Sequence, residues 1–197
     1  MWLQSSSDAL TPGSGWPTVW TLGHSTRSKD EFTQIVAAYK IENLADVRSF
    51  PSSRRYPHFN KESLAEWLAE VGVKYKHLPT LGGRRRLQPD SRSSNWKNPS
   101  FRAYADYMES EEFTRGIAQL LTLAQIGRTS LMCAEALWWR CHRSLIADYL
   151  KARGASVIHI VDARKTESHS FTSAARIVEG KLSYGPITDA QSGLFNP

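Results

Sequence analysis

The chain has 197 residues, of which 41% are hydrophobic and 22% charged, and this is the composition of one ordinary globular domain with its own core. The sequence contains no run of 18 apolar residues, so it predicts no transmembrane helix and no membrane partner. The first 16 residues lack the basic and apolar regions of a signal peptide, and two cysteines are too few for a disulfide framework. We therefore expect free thiols and a cytoplasmic location.

The formal net charge of +6 is concentrated in one part of the chain. Residues 48–97 contain 11 basic and 4 acidic residues, whereas the rest of the chain contains 14 basic and 15 acidic residues. Such a basic stretch is typical of a site for a polyanion or a phosphorylated ligand. A solubilising basic face is the other interpretation, and the charge alone favours it.

Strands and helices alternate along most of the sequence. Residues 1–17 are rich in Ser, Gly and Pro and predict a flexible N-terminal arm, and we assign residues 18–197 to a single α/β domain. Apolar stretches predict five strands, at 19–23, 44–47, 73–78, 129–133 and 157–161. Apolar residues at helical spacing predict helices after Ser28, after Asn60, over 101–108, after Ser110 and over 144–153. A short hairpin is predicted from 176–178 and 182–184.

This order of elements predicts an α/β fold of three layers: a mostly parallel sheet of about five strands, helices on both faces, and a small C-terminal hairpin. In such sheets, ligands bind beyond the carboxyl ends of the strands. Reactive, basic and hydroxyl side chains follow each predicted strand, and the Arg-rich residues 82–100 predict a long loop. We therefore expect one functional site at that edge of the sheet.

Five residues are candidates for the chemistry. Cys141 and His142 open a predicted helix beside Arg143, a setting that favours a thiolate and makes Cys141 a candidate nucleophile or redox thiol. Cys133, at the end of a strand, is either a buried structural thiol or its resolving partner. Glu135 is a candidate general acid or base, with a salt bridge to a nearby arginine as the alternative. His24 and His142 are candidate proton carriers.

Basic and hydroxyl side chains in the loops predict an anion-binding site. The predicted anion ligands are Ser25, Arg48, Ser53, Arg54, Arg84, Arg140 and Arg143. Arg48 follows an apolar strand, so it should be partly buried and needs a partner. We expect Asp46 to point to the opposite side of the strand, which leaves another acid or a ligand as that partner.

Two further features of the loop after residue 133 have competing interpretations. Trp138 and Trp139 are candidates for base stacking, although packing of the loop onto the core is the favoured interpretation. Cys133, Cys141 and His142, together with Glu135, offer the donor types of a metal site. Cysteine and histidine are too few here for a closed structural zinc site, so we predict no metal and no cofactor.

Five motifs together resemble the family catalogued as domain of unknown function 488, over about residues 19–184. The motifs are Thr21–Ser25, Asp46–Arg48 followed by Pro51–Arg54, Leu81–Gly83, Cys133–Glu135 with Cys141–Ser144, and Thr172–Arg176. The resemblance implies a bacterial or archaeal protein with an α/β fold, and it implies no reaction. Trp138 and Trp139 depart from the polar, often charged residues that many relatives have at these positions.

The sequence as a whole favours an enzyme that acts on a phosphorylated or nucleotide-like substrate, nucleic acid included. In this interpretation the arginines hold the anion beside the Cys, His and Glu residues. A non-catalytic nucleic-acid-binding module is one alternative, and a thiol redox or transfer protein that uses Cys141 and Cys133 is another. The expected partner is an anionic small molecule or a nucleic acid, and the sequence does not indicate an oligomeric state.

Overall fold

A computed structural model describes residues 15–186, and its centre is a six-stranded sheet. The strands are β1 (Thr18–Gly23), β2 (Asn43–Asp46), β3 (Lys74–His77), β4 (Thr129–Cys133), β5 (Ser156–Ile160) and β6 (Thr166–Ser168). Their order across the sheet is β3-β2-β4-β1-β5-β6; the first five are parallel, and β6 pairs antiparallel with β5 at one edge. The predicted mostly parallel sheet is confirmed, with β6 as an additional strand.

Helices cover both faces of this sheet, as the prediction of three layers requires. One face carries α1 (Lys29–Ala38) and α2 (Lys61–Glu70); the other carries α3 (Pro99–Tyr107), α4 (Glu111–Ile126) and α5 (Arg143–Ala152). Each face of the sheet has its own hydrophobic core. The side chains of β1 pack alternately into these two cores, because successive side chains of a strand point to opposite faces. Val19 packs in the core under α3–α5, and Leu22 packs in the core under α1 and α2.

Local sequence accounts for the element boundaries near the site. The predicted capping box at the start of α1 is present: Ser28 Oγ accepts from the Glu31 amide, and the Glu31 carboxylate accepts from the Ser28 amide. The predicted hairpin is also present, as β7 (Arg176–Val178) and β8 (Lys181–Ser183). Its turn residues Glu179 and Gly180 both have positive φ, of 50° and 75°, which matches the twist of the paired strands.

The topology places a switch point at the carboxyl edge of the sheet, between β1 and β4. The neighbouring strands β1 and β4 send the chain to opposite faces, since α1 and α5 lie on different sides. The loop after β4 folds tightly over the end of β1: a Cβ atom on Gly23 would lie 1.9 Å from the carbonyl oxygen of Glu135. Any residue larger than glycine at position 23 would therefore displace this loop.

Residues 1–14 of the predicted N-terminal arm lie outside the described residues, so the division of the chain into an arm and one domain stays a prediction. The same holds for the residues after 186. None of the helices within residues 15–186 is long and apolar enough to cross a membrane.

Candidate functional site

Two thiols and an imidazole meet at the carboxyl end of the central strand β4. Cys133 is the last residue of β4, and Cys141 and His142 directly precede α5. All three side chains are buried. The His142 Nδ1 atom lies 3.6 Å from Cys141 Sγ and 4.0 Å from Cys133 Sγ, and the three donor atoms lie within 4.8 Å of one another. We call these three residues the Cys–Cys–His cluster.

The His142 ring is fixed by loops from two other strands. Its Nε2–H donates to the carbonyl oxygen of Val47, beyond β2, at 3.1 Å. The lone pair of Nδ1 therefore faces the two sulfur atoms in the neutral ring. Gly83, in the loop beyond β3, covers the ring so closely that a Cβ atom there would lie 2.5 Å from Nδ1. The ring orientation is thus set by backbone atoms of distant segments.

Arg143 is the charged neighbour of the cluster, and it is only 1% exposed. Its Nε–H donates to Cys141 Sγ at 3.4 Å, and its Nη2 donates to the carbonyl oxygen of Glu135. Among residues 15–186, no carboxylate oxygen lies within 4.0 Å of this guanidinium. A buried guanidinium requires compensation, and the Cys141 sulfur is the group here that can carry a negative charge.

This environment shifts the pKa values of the two thiols in opposite directions. Burial raises the pKa of Cys141, but the hydrogen bond from Cys133 and the nearby positive charge of Arg143 act against it, and the pKa lies well below the ordinary value. The hydrogen bond to Cys141, together with burial, raises the pKa of Cys133 well above the ordinary value. These shifts favour the thiolate form of Cys141 with the thiol proton on Cys133.

Arg48 lies at the same edge, but its charge is neutralised within the protein. Its Nε and Nη2 atoms form a bidentate pair with the Asp46 carboxylate, at 2.6 Å for the closest contact, and Tyr75 donates to the same carboxylate. The expectation that Asp46 points away from Arg48 is wrong. Residues i and i+2 of a strand share a face, so alternation brings these two side chains together.

His24, a predicted proton carrier, has both ring nitrogens engaged. Its Nδ1–H donates to the Ser25 carbonyl oxygen at 3.0 Å, and its Nε2 accepts from Arg48 at 3.2 Å. Burial, followed by the Arg48 charge, lowers the pKa of His24 to about 4. Ser25 has a φ of 51° and donates its amide to Ala134, so it connects the β1 loop to the β4 loop. A proton-carrying role for His24 stays a prediction, and it requires that the Arg48 contact open.

Most of the remaining predicted residues lie outside the buried cluster. Ser53 is half-buried, and its Oγ accepts from the Tyr56 amide at 3.1 Å. The structure places four predicted residues on the surface: Arg54, Arg84, Glu135 and Arg140. The Arg84 guanidinium lies over the Phe50 ring, 5.5 Å from its centroid. Their assignment to substrate binding or catalysis stays a prediction.

The two adjacent tryptophans differ in their surroundings. Trp138 stacks on His159 with a centroid distance of 4.1 Å and an interplanar angle of 5°, and its indole N–H donates to Glu167. Trp139 is 49% exposed and meets Trp138 edge-on. Trp138 therefore packs the β4–α5 loop onto the protein, whereas Trp139 is the ring that is free to stack on a base.

Sequence reasoning missed a buried polar chain beneath this loop. Thr21 donates to His159 Nδ1 at 2.7 Å, His159 Nε2–H donates to His169 Nδ1 at 2.9 Å, and His169 Nε2–H donates to Asp148 at 3.0 Å. Thr172 and Tyr184 donate to the same carboxylate. A histidine in the apolar strand Ser156–Ile160 and an aspartate on the inner face of α5 were the available signals.

Within residues 15–186, the Cys–Cys–His cluster is the one group of three or more His, Cys, Asp or Glu side chains whose donor atoms converge closely enough to hold a metal ion. Glu135, the fourth ligand considered from the sequence, is exposed and does not belong to it. A cavity of about 1170 Å³ lies at the opposite end of α5, between Tyr149, Arg153 and residues 178–186. None of the predicted site residues lines that cavity.

Comparison with known proteins gives a family and no activity. The model of the family described as "Domain of unknown function DUF488" matches residues 28–150 of the chain. This match spans more than half of the sequence and contains the Cys–Cys–His cluster and Arg143. No curated protein and no solved structure matches the chain.

Proposed function

The chain belongs to the DUF488 family, whose description assigns no reaction, and from the geometry of the site we propose that it is an enzyme acting on an anionic substrate. The substrate is phosphorylated or nucleotide-like, and it binds at the carboxyl edge of the sheet. The Cys–Cys–His cluster supplies the reactive groups, and Arg143 supplies the positive charge.

The observation that carries this proposal is the buried Arg143 guanidinium, which has no carboxylate partner among residues 15–186. Nε and Nη2 are engaged by Cys141 and Glu135, and within the described residues Nη1 has no hydrogen-bond partner. The N–H groups of this remaining nitrogen are suited to donate to a phosphate oxygen. Arg48 differs, because its charge is already matched by Asp46. Arg143 is therefore the arginine that we assign to the substrate anion.

The surrounding loops support this assignment. The exposed side chains of Arg54, Arg84 and Arg140 follow β2, β3 and β4 and give the edge a positive field that attracts an anion. The switch point between β1 and β4 is the position at which α/β sheets of this kind bind ligands. His142 and the two thiols then adjoin the bound group and can exchange protons with it.

Thermal unfolding with phosphate-bearing ligands tests the proposal. Inorganic phosphate, pyrophosphate and a panel of nucleoside monophosphates are added to the wild type and to Arg143→Lys, Arg143→Met and Arg140→Met variants. We expect at least one ligand to raise the Tm of the wild type and of Arg140→Met, which loses an exposed arginine of the same loop. Arg143→Lys should fold but bind about tenfold more weakly, because lysine lacks the planar fork.

Equal shifts in the wild type and in a folded Arg143→Lys protein would contradict the assignment of Arg143. Ligands that stabilise the wild type are then tested for turnover as phosphate mono- and diesters. A turnover that is unchanged in Cys141→Ser would exclude the cluster as the reactive centre.

A further inference from the structure

We propose that Cys133 Sγ, Cys141 Sγ and His142 Nδ1 bind one Zn²⁺ ion and leave its fourth coordination position open. The binding itself is argued from the cluster alone. The use of that ion on an anionic substrate rests on the proposed function.

The distances between the donor atoms suit a tetrahedral zinc ion. Zn–S bonds of about 2.3 Å and Zn–N bonds of about 2.0 Å place neighbouring ligand atoms roughly 3.5–3.8 Å apart. The Cys141 Sγ to His142 Nδ1 distance is 3.6 Å, and the Cys133 Sγ to His142 Nδ1 distance is 4.0 Å. The separation of the two sulfurs is below 4.8 Å. Rotamer adjustments of a few tenths of an ångström to about one ångström complete the geometry.

The orientation of His142 is that of a metal ligand. Ligating histidines almost always donate the other ring N–H to a carbonyl or carboxylate, which fixes the tautomer. His142 donates Nε2–H to the Val47 carbonyl oxygen and turns Nδ1 toward both sulfurs. This arrangement is held by three separate segments of the chain, since Gly83 covers the ring from beyond β3. The cluster offers two soft sulfur donors and one imidazole, and such a ligand set binds zinc in preference to magnesium or calcium.

The local charges fit an ion with an open position. Two thiolates and a neutral imidazole cancel the charge of Zn²⁺, and binding the ion releases the thiol proton of Cys133 to solvent. Arg143 donates to Cys141 Sγ and leaves one net positive charge at the site. That charge favours an anionic fourth ligand, such as hydroxide or a phosphate oxygen. Three protein ligands with a vacant fourth position are typical of catalytic rather than structural zinc sites.

Cobalt substitution in the full-length protein tests the site. The protein is reduced, treated with a chelator, freed of it, and titrated with Co²⁺ without oxygen. We expect one equivalent to produce thiolate-to-cobalt charge transfer and the intense visible bands of tetrahedral cobalt, and one equivalent of Zn²⁺ to abolish them. Cys133→Ser, Cys141→Ser and His142→Gln should each weaken Co²⁺ binding at least tenfold. Glu135→Gln, which changes an exposed carboxylate of the same loop, should behave like the wild type.

The wild type alone also gives a decisive measurement, in case a cluster variant does not fold. X-ray absorption of the zinc form should show two sulfur ligands together with nitrogen or oxygen ligands. A folded, reduced wild type that takes up no Co²⁺, or a zinc form without two sulfur ligands, overturns the proposal. A firm preference for Cu⁺ overturns the assignment to zinc. If the protein binds the metal but no phosphate ligand, the zinc site stands and the proposed function is contradicted. If it binds a phosphate ligand but no metal, the proposed function stands and the zinc site is contradicted.

Discussion

Two buried arginines at the same edge of the sheet differ in what compensates their charge. Arg48 is paired with the Asp46 carboxylate through two nitrogens, while Arg143 has a sulfur atom and a carbonyl oxygen as neighbours. Burial of a charge without a partner costs several kcal/mol, so each arginine constrains its surroundings. Arg48 is a structural residue in this arrangement, and Arg143 is the one that needs a ligand or a thiolate.

The first prediction concerns the Asp46–Arg48 pair. Arg48→Met leaves the fully buried Asp46 carboxylate with Tyr75 as its remaining side-chain donor, and we expect a loss of about 3–5 kcal/mol in the free energy of unfolding. The double variant Asp46→Asn, Arg48→Met removes both charges and should recover a large part of that loss. Urea unfolding monitored by circular dichroism measures both values. A double variant no more stable than Arg48→Met would show that the pair is not coupled in this way.

At the level of residues, the sequence was informative about which side chains gather and uninformative about their partners. Cys133, Cys141, His142 and Arg143 were identified as candidates because residues that follow strands converge at one edge of a parallel sheet. The contact between His142 and Val47 spans 95 positions, and no local pattern encodes it. The tautomer of His142, and with it the convergence of donor atoms, therefore needed the structure.

Among the elements, β1, β5 and α5 are joined by the buried chain from Thr21 through His159 and His169 to Asp148. The carboxylate accepts four hydrogen bonds, from His169, the Thr172 amide and hydroxyl, and Tyr184. Trp138 stacks on His159, so the chain supports the loop that contains the site. Tyr184 ties the segment after β8 to α5. A fully satisfied network of this kind specifies one arrangement of its elements.

The second prediction is a pH dependence of stability caused by His159. Burial, followed by the charges of His169 and Arg143, lowers the pKa of His159 to about 3, against 6.5 for an unperturbed histidine. Below pH 6.5 the imidazole of His159 is protonated in the unfolded chain but stays neutral in the folded protein. The free energy of unfolding therefore falls as the pH is lowered from 6.5 toward 3. Between pH 6.5 and pH 4.5, two pH units, this loss in the free energy of unfolding is about 3 kcal/mol.

The comparison of wild type and His159→Gln isolates this contribution. Urea unfolding at pH 7 and pH 4.5 should show a loss on acidification that is about 2–3 kcal/mol smaller in the variant. His24, whose pKa is also lowered, remains in both proteins and cancels in the difference. His77→Gln, which removes a histidine that contacts the Arg48 carbonyl oxygen, serves as the matched control. Parallel losses in wild type and His159→Gln would refute the prediction.

Element boundaries followed from local patterns where these were strong. The strand predicted at 129–133 is β4 without any shift, and all five of its residues are buried. The strands β2, β3 and β5 differ from their predicted ranges by one residue at each end, and β1 begins one residue earlier than predicted. The strand β6 was not predicted, since Thr166–Ser168 is short, lies at the edge and has two exposed residues out of three. Its pairing with β5 supplies the order that its composition lacks.

At the scale of the molecule, the basic excess of residues 48–97 is distributed between two roles. Arg48 is buried and neutralised, and Arg85 packs its guanidinium 3.7 Å from the centroid of the Tyr107 ring. Arg54, Arg55, Arg84 and Arg86 are exposed. The interior members fix the loops, and the exposed members create a long-range field that salt screens. A ligand held by Arg143 and a polyanion held by the surface should therefore respond differently to ionic strength.

The third prediction uses this difference to separate an enzyme with an enclosed site from a nucleic-acid-binding module. Fluorescence anisotropy with labelled single-stranded DNA and RNA is measured across a salt series, for the wild type, Arg84→Gln with Arg86→Gln, and Arg143→Lys. An enclosed site predicts that a nucleoside monophosphate competes fully and that Arg143→Lys weakens binding about tenfold at every salt concentration. The surface variant should then lower the association rate, with the affinity for inorganic phosphate unchanged.

A polyanion track predicts the opposite pattern. Binding would fall steeply with salt, and removal of two surface arginines would lower the slope of log affinity against log salt by about 1.4, at roughly 0.7 for each single-strand phosphate contact. Mononucleotides would compete poorly, and Arg143→Lys would bind like the wild type because Arg143 is buried. We expect the first pattern, because the surface arginines can each be solvated, whereas the Arg143 guanidinium is shielded from water and gains most from an anion that reaches it.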